Sequence, residues 1–286
     1  MNVVARLRRL AKAAVLAVAI GLFRPIRDRW RTLRRRHPVR VFTFQRVTAI
    51  CRDKVTVTPD GFRERIEYIA RHHDVVDLDT ALRAIEENRP LRRPLAVITF
   101  DDGYQSVFEH ARPTLAERGL PASCFVATGY VGTDKRFAHD AASPVRQSLS
   151  VMGWTDLGAL HASGWTIGAH TATHQRLSAC SAEAYATEID APLATLRDRL
   201  GLEEVAIAYP FGGRADINAR ARSAVHDAGY RACFSNYGGE NFPGDPLLEL
   251  KRFNIGGDMD SLAWRARVHG IDLRLALATW GAEETS

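Results

Sequence analysis

From Val39 onward, short β-rich apolar runs alternate with segments in which apolar residues recur every three or four positions. Continuous or alternating apolar runs bounded by turn residues predict strands, and a 3.6-residue period predicts helices. Strands are expected at residues 39–44, 74–78, 95–100, 122–128, 165–170, 205–209 and 230–235. Between them, Phe62, Ile66 and Ile69, and again Ile189, Leu193, Leu196 and Leu200, mark the buried faces of helices. Asp60 is placed to cap the first of these, while Gly119, Gly201 and Gly229 stand at helix ends. Strand and helix in alternation imply an α/β chain folded around a parallel sheet or barrel. No long Ser/Gly/Pro linker interrupts the series, so one domain is expected over residues 38–286, preceded by a separate segment, residues 1–37.

That segment has its own pattern. An apolar run from Ala13 to Phe23 is preceded by Arg6, Arg8, Arg9 and Lys12 and followed by seven further arginines up to Arg36. The run falls short of the roughly 20 residues that a spanning helix needs. Arginines follow it where a signal peptide would have a small-residue cleavage site. The segment is expected to lie on an anionic membrane surface through residues 1–36, the alternatives being a solvated basic tail or an export signal. It also explains the charge: of the net +6, residues 1–40 hold twelve Lys/Arg against Asp28 alone, so the remainder is acidic. No nucleic-acid groove is therefore expected in the body of the protein. The four cysteines form no CxxC pair and are expected as free thiols, which favours a reducing compartment. The expected location is the cytoplasmic face of the membrane, with export as the alternative.

Three strand ends carry candidate chemistry. The run at 95–100 leads into Asp101, Asp102 and Gly103, which places two carboxylates at the end of a strand where barrels keep their active sites. A loop cap with a solvated neighbour would account for such a pair standing alone. The run at 165–170 leads into His170 and His174, whose spacing on a helical turn puts both imidazoles on one face, able to hold one metal ion. Ordinary histidines explain an isolated pair equally well. The run at 205–209 leads into Pro210, Phe211, Gly212 and Gly213, where a backbone amide can face a developing oxyanion or the chain can simply turn into a helix starting near Asp216.

Together the segments TFDDGY (99–104), HTATH (170–174) and YPFG (209–212) resemble the motifs of the polysaccharide deacetylase family, carbohydrate esterase family 4, in that family's order. The likeness extends over about residues 39–271. It implies a distorted (β/α) barrel of about seven parallel strands and metal-dependent removal of acetyl groups from N-acetylated sugars. It further implies a divalent metal, with zinc the first expectation, held by Asp102, His170 and His174, and Asp101 as general base. The backbone N–H of Phe211 would hold the oxyanion, and Tyr209 and Pro210 would meet the substrate, an N-acetylated glycan or a lipid-linked sugar. Thr171 and Thr173 would orient the turn. Three protein ligands leave open positions at such an ion for a water and the acetyl oxygen.

The sequence also departs from the family's pattern. Where many relatives have an arginine that orients the base, this chain has Ala208, and Arg252 is the candidate to supply that charge to Asp101 and keep it ionised; a surface pair with Glu249 is the alternative. A late Leu-x-x-His motif is not recognisable, and Phe44, Gln45 and Arg46 stand where relatives have a histidine-bearing segment. A non-catalytic sugar-binding descendant, or an amide or ester hydrolase acting on a non-sugar, is the other outcome such departures allow.

Overall fold

The structure, a computed structural model, describes residues 3–272. The outermost parts of both expected segments, residues 1–2 and 273–286, lie outside the described residues. Among the described residues ten strands form: β1 (Val39–Phe44), β2 (Arg46–Val47), β3 (Thr56–Val57), β4 (Asp74–Val75), β5 (Leu95–Asp102), β6 (Ser123–Val126), β7 (Thr166–Ala169), β8 (Ala206–Ala208), β9 (Ala232–Phe234) and β10 (Arg252–Asn254). Seven run parallel in the order β10-β1-β5-β6-β7-β8-β9 and curl into a nearly closed barrel. The seam between β9 and β10 is bridged where Phe234 meets Leu250, and the Ser235 N–H donates to the Leu250 carbonyl at 2.8 Å.

Seven barrel strands match the expectation, but their identities differ at one place. The run at 74–78 yields only the two-residue β4, beside the foot of β5. Asp77 ends it by accepting from the Thr80 N–H at 2.8 Å, which caps a helix over Leu78–Glu86. The vacated barrel position is filled by β10, a strand too short to leave a periodic signal. A second correction concerns the helix Pro59–His72, whose cap is Thr58 rather than Asp60: the Thr58 hydroxyl accepts from the Gly61 N–H at 3.2 Å. Its extended φ of −67° and ψ of 154° suit a cap that precedes a proline.

Side chains alternate across each strand. Phe42, Ile98, Cys124, Ile167 and Ile207 face the surrounding helices, in one cluster with Ile66, Leu157 and Leu196. Val41, Val97, Phe125, Ala208 and Phe234 turn inward and are closed from below by Leu82 and Ile85. Further along the same inner rows come Thr43, Thr99, Asp101 and Arg252, all buried, so the barrel passes from an apolar floor to a polar, charged mouth. Gly168 lies opposite Phe125 in register, and any side chain there would collide with that ring.

The segment before the barrel is helical from Val3 to Leu33, with a π-helical turn at Ala19–Phe23. Leu16 is buried, the Arg24 guanidinium reaches His269 Nε2 at 2.9 Å, and Arg27 donates to the His269 carbonyl at 2.7 Å. Arg31 forms a fork with Glu240 at 2.9 and 2.6 Å. All four cysteines are free.

Candidate active site

The three motifs meet at the carboxyl ends of β5, β7 and β8, around a cavity of about 920 Å³ lined by Asp101, His170, His174, Tyr209 and Phe211 among others. The acids do not follow β5, as expected, but are its last two residues. Adjacent strand residues normally face opposite sides. Asp102 breaks that rule with a left-handed φ of 71°, followed by Gly103 at 79°, and is buried behind the cavity wall while Asp101 faces the opening.

The histidine motif also differs from its expected geometry. His170 to His174 is not a helical turn: Thr171 and His174 both have φ of 60°, and the chain loops back between them. The loop is fixed from outside by buried Glu188, which accepts from the Thr173 N–H at 2.9 Å and from its hydroxyl at 2.5 Å. Thr173 thus orients the turn, whereas the Thr171 hydroxyl is buried with no hydrogen-bond partner. Phe211 is left-handed too, at 61°. Of six non-glycine residues with positive φ among the described residues, four lie in these motifs, and such backbone persists only where the surroundings enforce it.

The loops bring Asp102 Oδ1 to 3.2 Å from His174 Nε2 and 3.5 Å from His170 Nε2. Two donors each about 2 Å from one tetrahedral ion lie on the order of 3.3 Å apart, so the spacing fits a zinc-like ion. The His170 Nδ1–H donates to the Ala208 carbonyl at 2.8 Å, which leaves Nε2 free to face Asp102. Both oxygens of Asp102 are buried with no hydrogen-bond partner, a costly state for a carboxylate that a cation would relieve. Burial alone would raise the Asp102 pKa, but the imidazoles of His174, His170 and His139 outweigh it and hold the carboxyl below its ordinary range. Burial pushes the His170 pKa down; for His174 it acts the same way, but Asp102 outweighs it and the pKa rises.

Arg252 reaches the other acid. Its Nη1 donates to Asp101 Oδ1 at 2.6 Å and its Nη2 to Oδ2 at 2.8 Å, while Nε donates to the Ser235 carbonyl at 3.2 Å. The guanidinium is wholly buried, so the surface pairing with Glu249 does not form. It belongs to the barrel strand β10. Ala208 lies in β8, the strand next to β9.

At the third motif Tyr209 and Phe211 line the cavity, whereas Pro210 is buried behind them. The Phe211 N–H has no hydrogen-bond partner among the described residues, and the Phe211 ring stands edge-on to His174 at 5.0 Å. The helix beyond does not begin near Asp216: a short 3₁₀ turn covers Arg214–Asp216, and Asn218 caps Ala219–Asp227.

Sequence reasoning missed a fourth wall. His139 lines the cavity, stacks on Phe137 at 5.1 Å and approaches Asp102 Oδ2 to 3.7 Å. Its Nε2 pairs with the Tyr104 hydroxyl at 2.8 Å, and that hydroxyl donates to Asp140 Oδ2 at 2.6 Å. Asp140 is ion-paired in turn to buried Arg46. Of the residues that replace the family's histidine-bearing segment, Arg46 thus supports this wall. One signal was available, since the connection from β6 to β7 is far longer than a usual strand–helix–strand loop, and such loops carry function.

The profile of the family described as polysaccharide deacetylase matches residues 88–233, just over half of the chain. No curated protein matches. Among solved structures, the chain is similar to IcaB from Ammonifex degensii, at 23% identity and a TM-score of 0.66, covering 82% of this chain and 97% of that one. The deacetylase PplD from Streptococcus pyogenes, solved in complex with acetate, is 19% identical, with 83% and 98% covered and a TM-score of 0.65. The BpsB deacetylase domain from Bordetella bronchiseptica is 20% identical, with 76% and 95% covered and a TM-score of 0.61. At these identities the structures speak for the fold, and the profile for the family. The protein belongs to the polysaccharide deacetylase family and is a carbohydrate deacetylase, a hydrolase of non-peptide carbon–nitrogen bonds.

Proposed function

We propose that the protein is a metal-dependent enzyme that removes the acetyl group from an N-acetylated sugar, carried on a polysaccharide, an oligosaccharide or a lipid, to leave a free amine and acetate. The observation that carries the metal dependence is the buried carboxylate of Asp102, neither oxygen holding a hydrogen bond, with two imidazole nitrogens within 3.5 Å of one of them. One oxygen and two nitrogens suit zinc or a neighbouring first-row ion.

Asp102, His170 and His174 would hold the ion, which when bound acidifies water and polarises the acetyl carbonyl. Asp101 takes the proton of the attacking water at a carboxylate oxygen. The fork from Arg252 fixes the orientation of that carboxylate, and each oxygen keeps a lone pair free of it. The unpartnered N–H of Phe211 is the donor for the developing oxyanion. Tyr209, Phe211 and His139 wall the cavity, whose volume of about 920 Å³ is that of a small-molecule site.

The test is acetate release from N-acetylglucosamine oligomers, compared with acetyl esters, by metal-loaded and chelator-stripped protein. We expect release from the amide that stops on stripping and returns on reloading. Asp101→Asn should keep its metal and lose turnover by about a hundredfold or more, and His174→Ala should lose the metal. Loaded protein that binds oligosaccharide without releasing acetate would make it a sugar-binding descendant, and metal content unchanged in both His170→Ala and His174→Ala would overturn the ligand assignment.

A further inference from the structure

The N-terminal helix has two unlike faces. One is docked, through buried Leu16 and through Arg24, Arg27 and Arg31, which reach His269 and Glu240. The π-helical turn takes up one extra residue, which keeps those arginines on the same inward line as Leu16. The other face is apolar and bare: Val15, Val18, Leu22, Ile26, Trp30 and Leu33 follow at intervals of three or four and are 50% to 78% exposed. The remaining exposed large hydrophobics among the described residues are Leu10 and Phe23 on this helix, and Ile50 and Phe211 at the cavity. An apolar stripe of this extent on a soluble surface marks a contact with something else.

Charge says what that something is. Residues 1–36 hold eleven Lys/Arg against Asp28 alone, and Asp28 is paired with Arg27. Arg29, Arg34, Arg35 and Arg36 are exposed and form no ion pair among the described residues. Two copies of this helix packed face to face would bring like charges together, whereas an anionic bilayer offers acyl chains to the stripe and headgroups to the arginines. No helix among the described residues is long and apolar enough to cross a membrane.

We propose that the outward face of this helix docks the protein onto a bilayer containing anionic lipid, the helix lying in the interface. Leu16 also borders a trough with Lys54, Asn236 and Asn254, and these three border the site cavity as well. The docked helix therefore stands at one side of the cavity mouth and would bring the site to substrates held at the membrane surface. The docking stands independently of the deacetylase reading.

The experiment is pelleting of the full chain with phosphatidylcholine vesicles, with and without phosphatidylglycerol. Binding should require phosphatidylglycerol, weaken as salt rises and shift the Trp30 emission to the blue, a change absent in Trp30→Phe. The double variant Leu22→Glu/Ile26→Glu, whose changes face away from the body, should bind about tenfold more weakly or worse. Its melting temperature and its activity on soluble oligomers should be unchanged. Equal binding of wild type and double variant would overturn the proposal, as would failure of the wild type to pellet. Concentration-dependent self-association that the double variant abolishes, without vesicle binding, would assign the face to a second copy and overturn it equally.

Discussion

A carboxylate as buried as Asp101, at 2% exposure, needs a counter-charge, and Arg252 meets it with both arms of its fork. Removing one partner of a buried pair strands the other, at a cost of roughly 3 to 5 kcal/mol. We expect Arg252→Ala to lower kcat/KM by about a hundredfold and to lower the melting temperature, with metal content unchanged because Arg252 bonds to none of the proposed ligands Asp102, His170 and His174. Arg252→Lys restores charge but not the fork, and should recover part of the stability and little of the rate. Steady-state kinetics alongside elemental analysis decide it, and a normal rate in the Ala variant would sink the positioning role. At this scale the sequence marked the two acids and two histidines because they stand directly at strand ends. His139 and Asp140 were not marked, because residues 127–153 show no regular period and the contact of His139 with Asp102 exists only after folding.

Elements were easier to find than their edges. Six of the expected runs became barrel strands, since long apolar stretches bounded by turn residues have few other uses. Two short elements were misjudged, β4 through the competing cap at Asp77 and β10 because three residues carry no period. The expected helical turn at His170 to His174 failed for another reason: left-handed backbone is set by tertiary contacts such as those of Glu188, not by local propensity. One packing detail connects an element to the chemistry. A Cβ at Gly168 would lie 2.5 Å from the Phe125 ring and 2.7 Å from the Ala206 carbonyl. The same ring carries the Arg252 guanidinium over its face at 5.5 Å. Gly168→Ala should therefore cost about 1 to 3 kcal/mol, lower the melting temperature, and reduce kcat by displacing Phe125 against Arg252. Calorimetry and kinetics on the variant check this, and an unchanged melting temperature would show that the ring has room to move.

On the scale of the whole molecule, the joint between the N-terminal helix and the barrel is built on neutral histidines. His269 sits between Arg24 and the Tyr68 hydroxyl, each at 2.9 Å, with His72 edge-on beside it; burial, then Arg24, pushes its pKa down to about 2. Burial, then Arg40, also pushes His73 well below the ordinary 6.5. Such groups bind fewer protons folded than unfolded, so their contribution is intact above the unfolded value of 6.5 and is lost as pH falls below it. Glu240, with its pKa lowered because Arg40 and Arg31 outweigh the effect of burial, adds a loss only below its own ordinary 4.5. The melting temperature should thus fall between pH 7 and pH 5, and His269→Gln should flatten part of the slope. A flat or rising profile over that range would contradict the neutral joint.

The bond between the first motif and the last strand spans 151 positions, and it has a meaning for the chain as it is being made. Synthesis runs from the amino end, and early parts fold before late ones emerge. The acids and the histidines are all translated before residue 175, yet the counter-ion of Asp101 arrives only with residue 252. A nascent or prematurely terminated chain would carry the three residues proposed as ligands while Asp101, the proposed base, lacked its counter-ion. Under the proposed mechanism hydrolytic competence is in this way deferred to the closing of the barrel seam, and a product cut short before residue 252 would leave Asp101 without its fork.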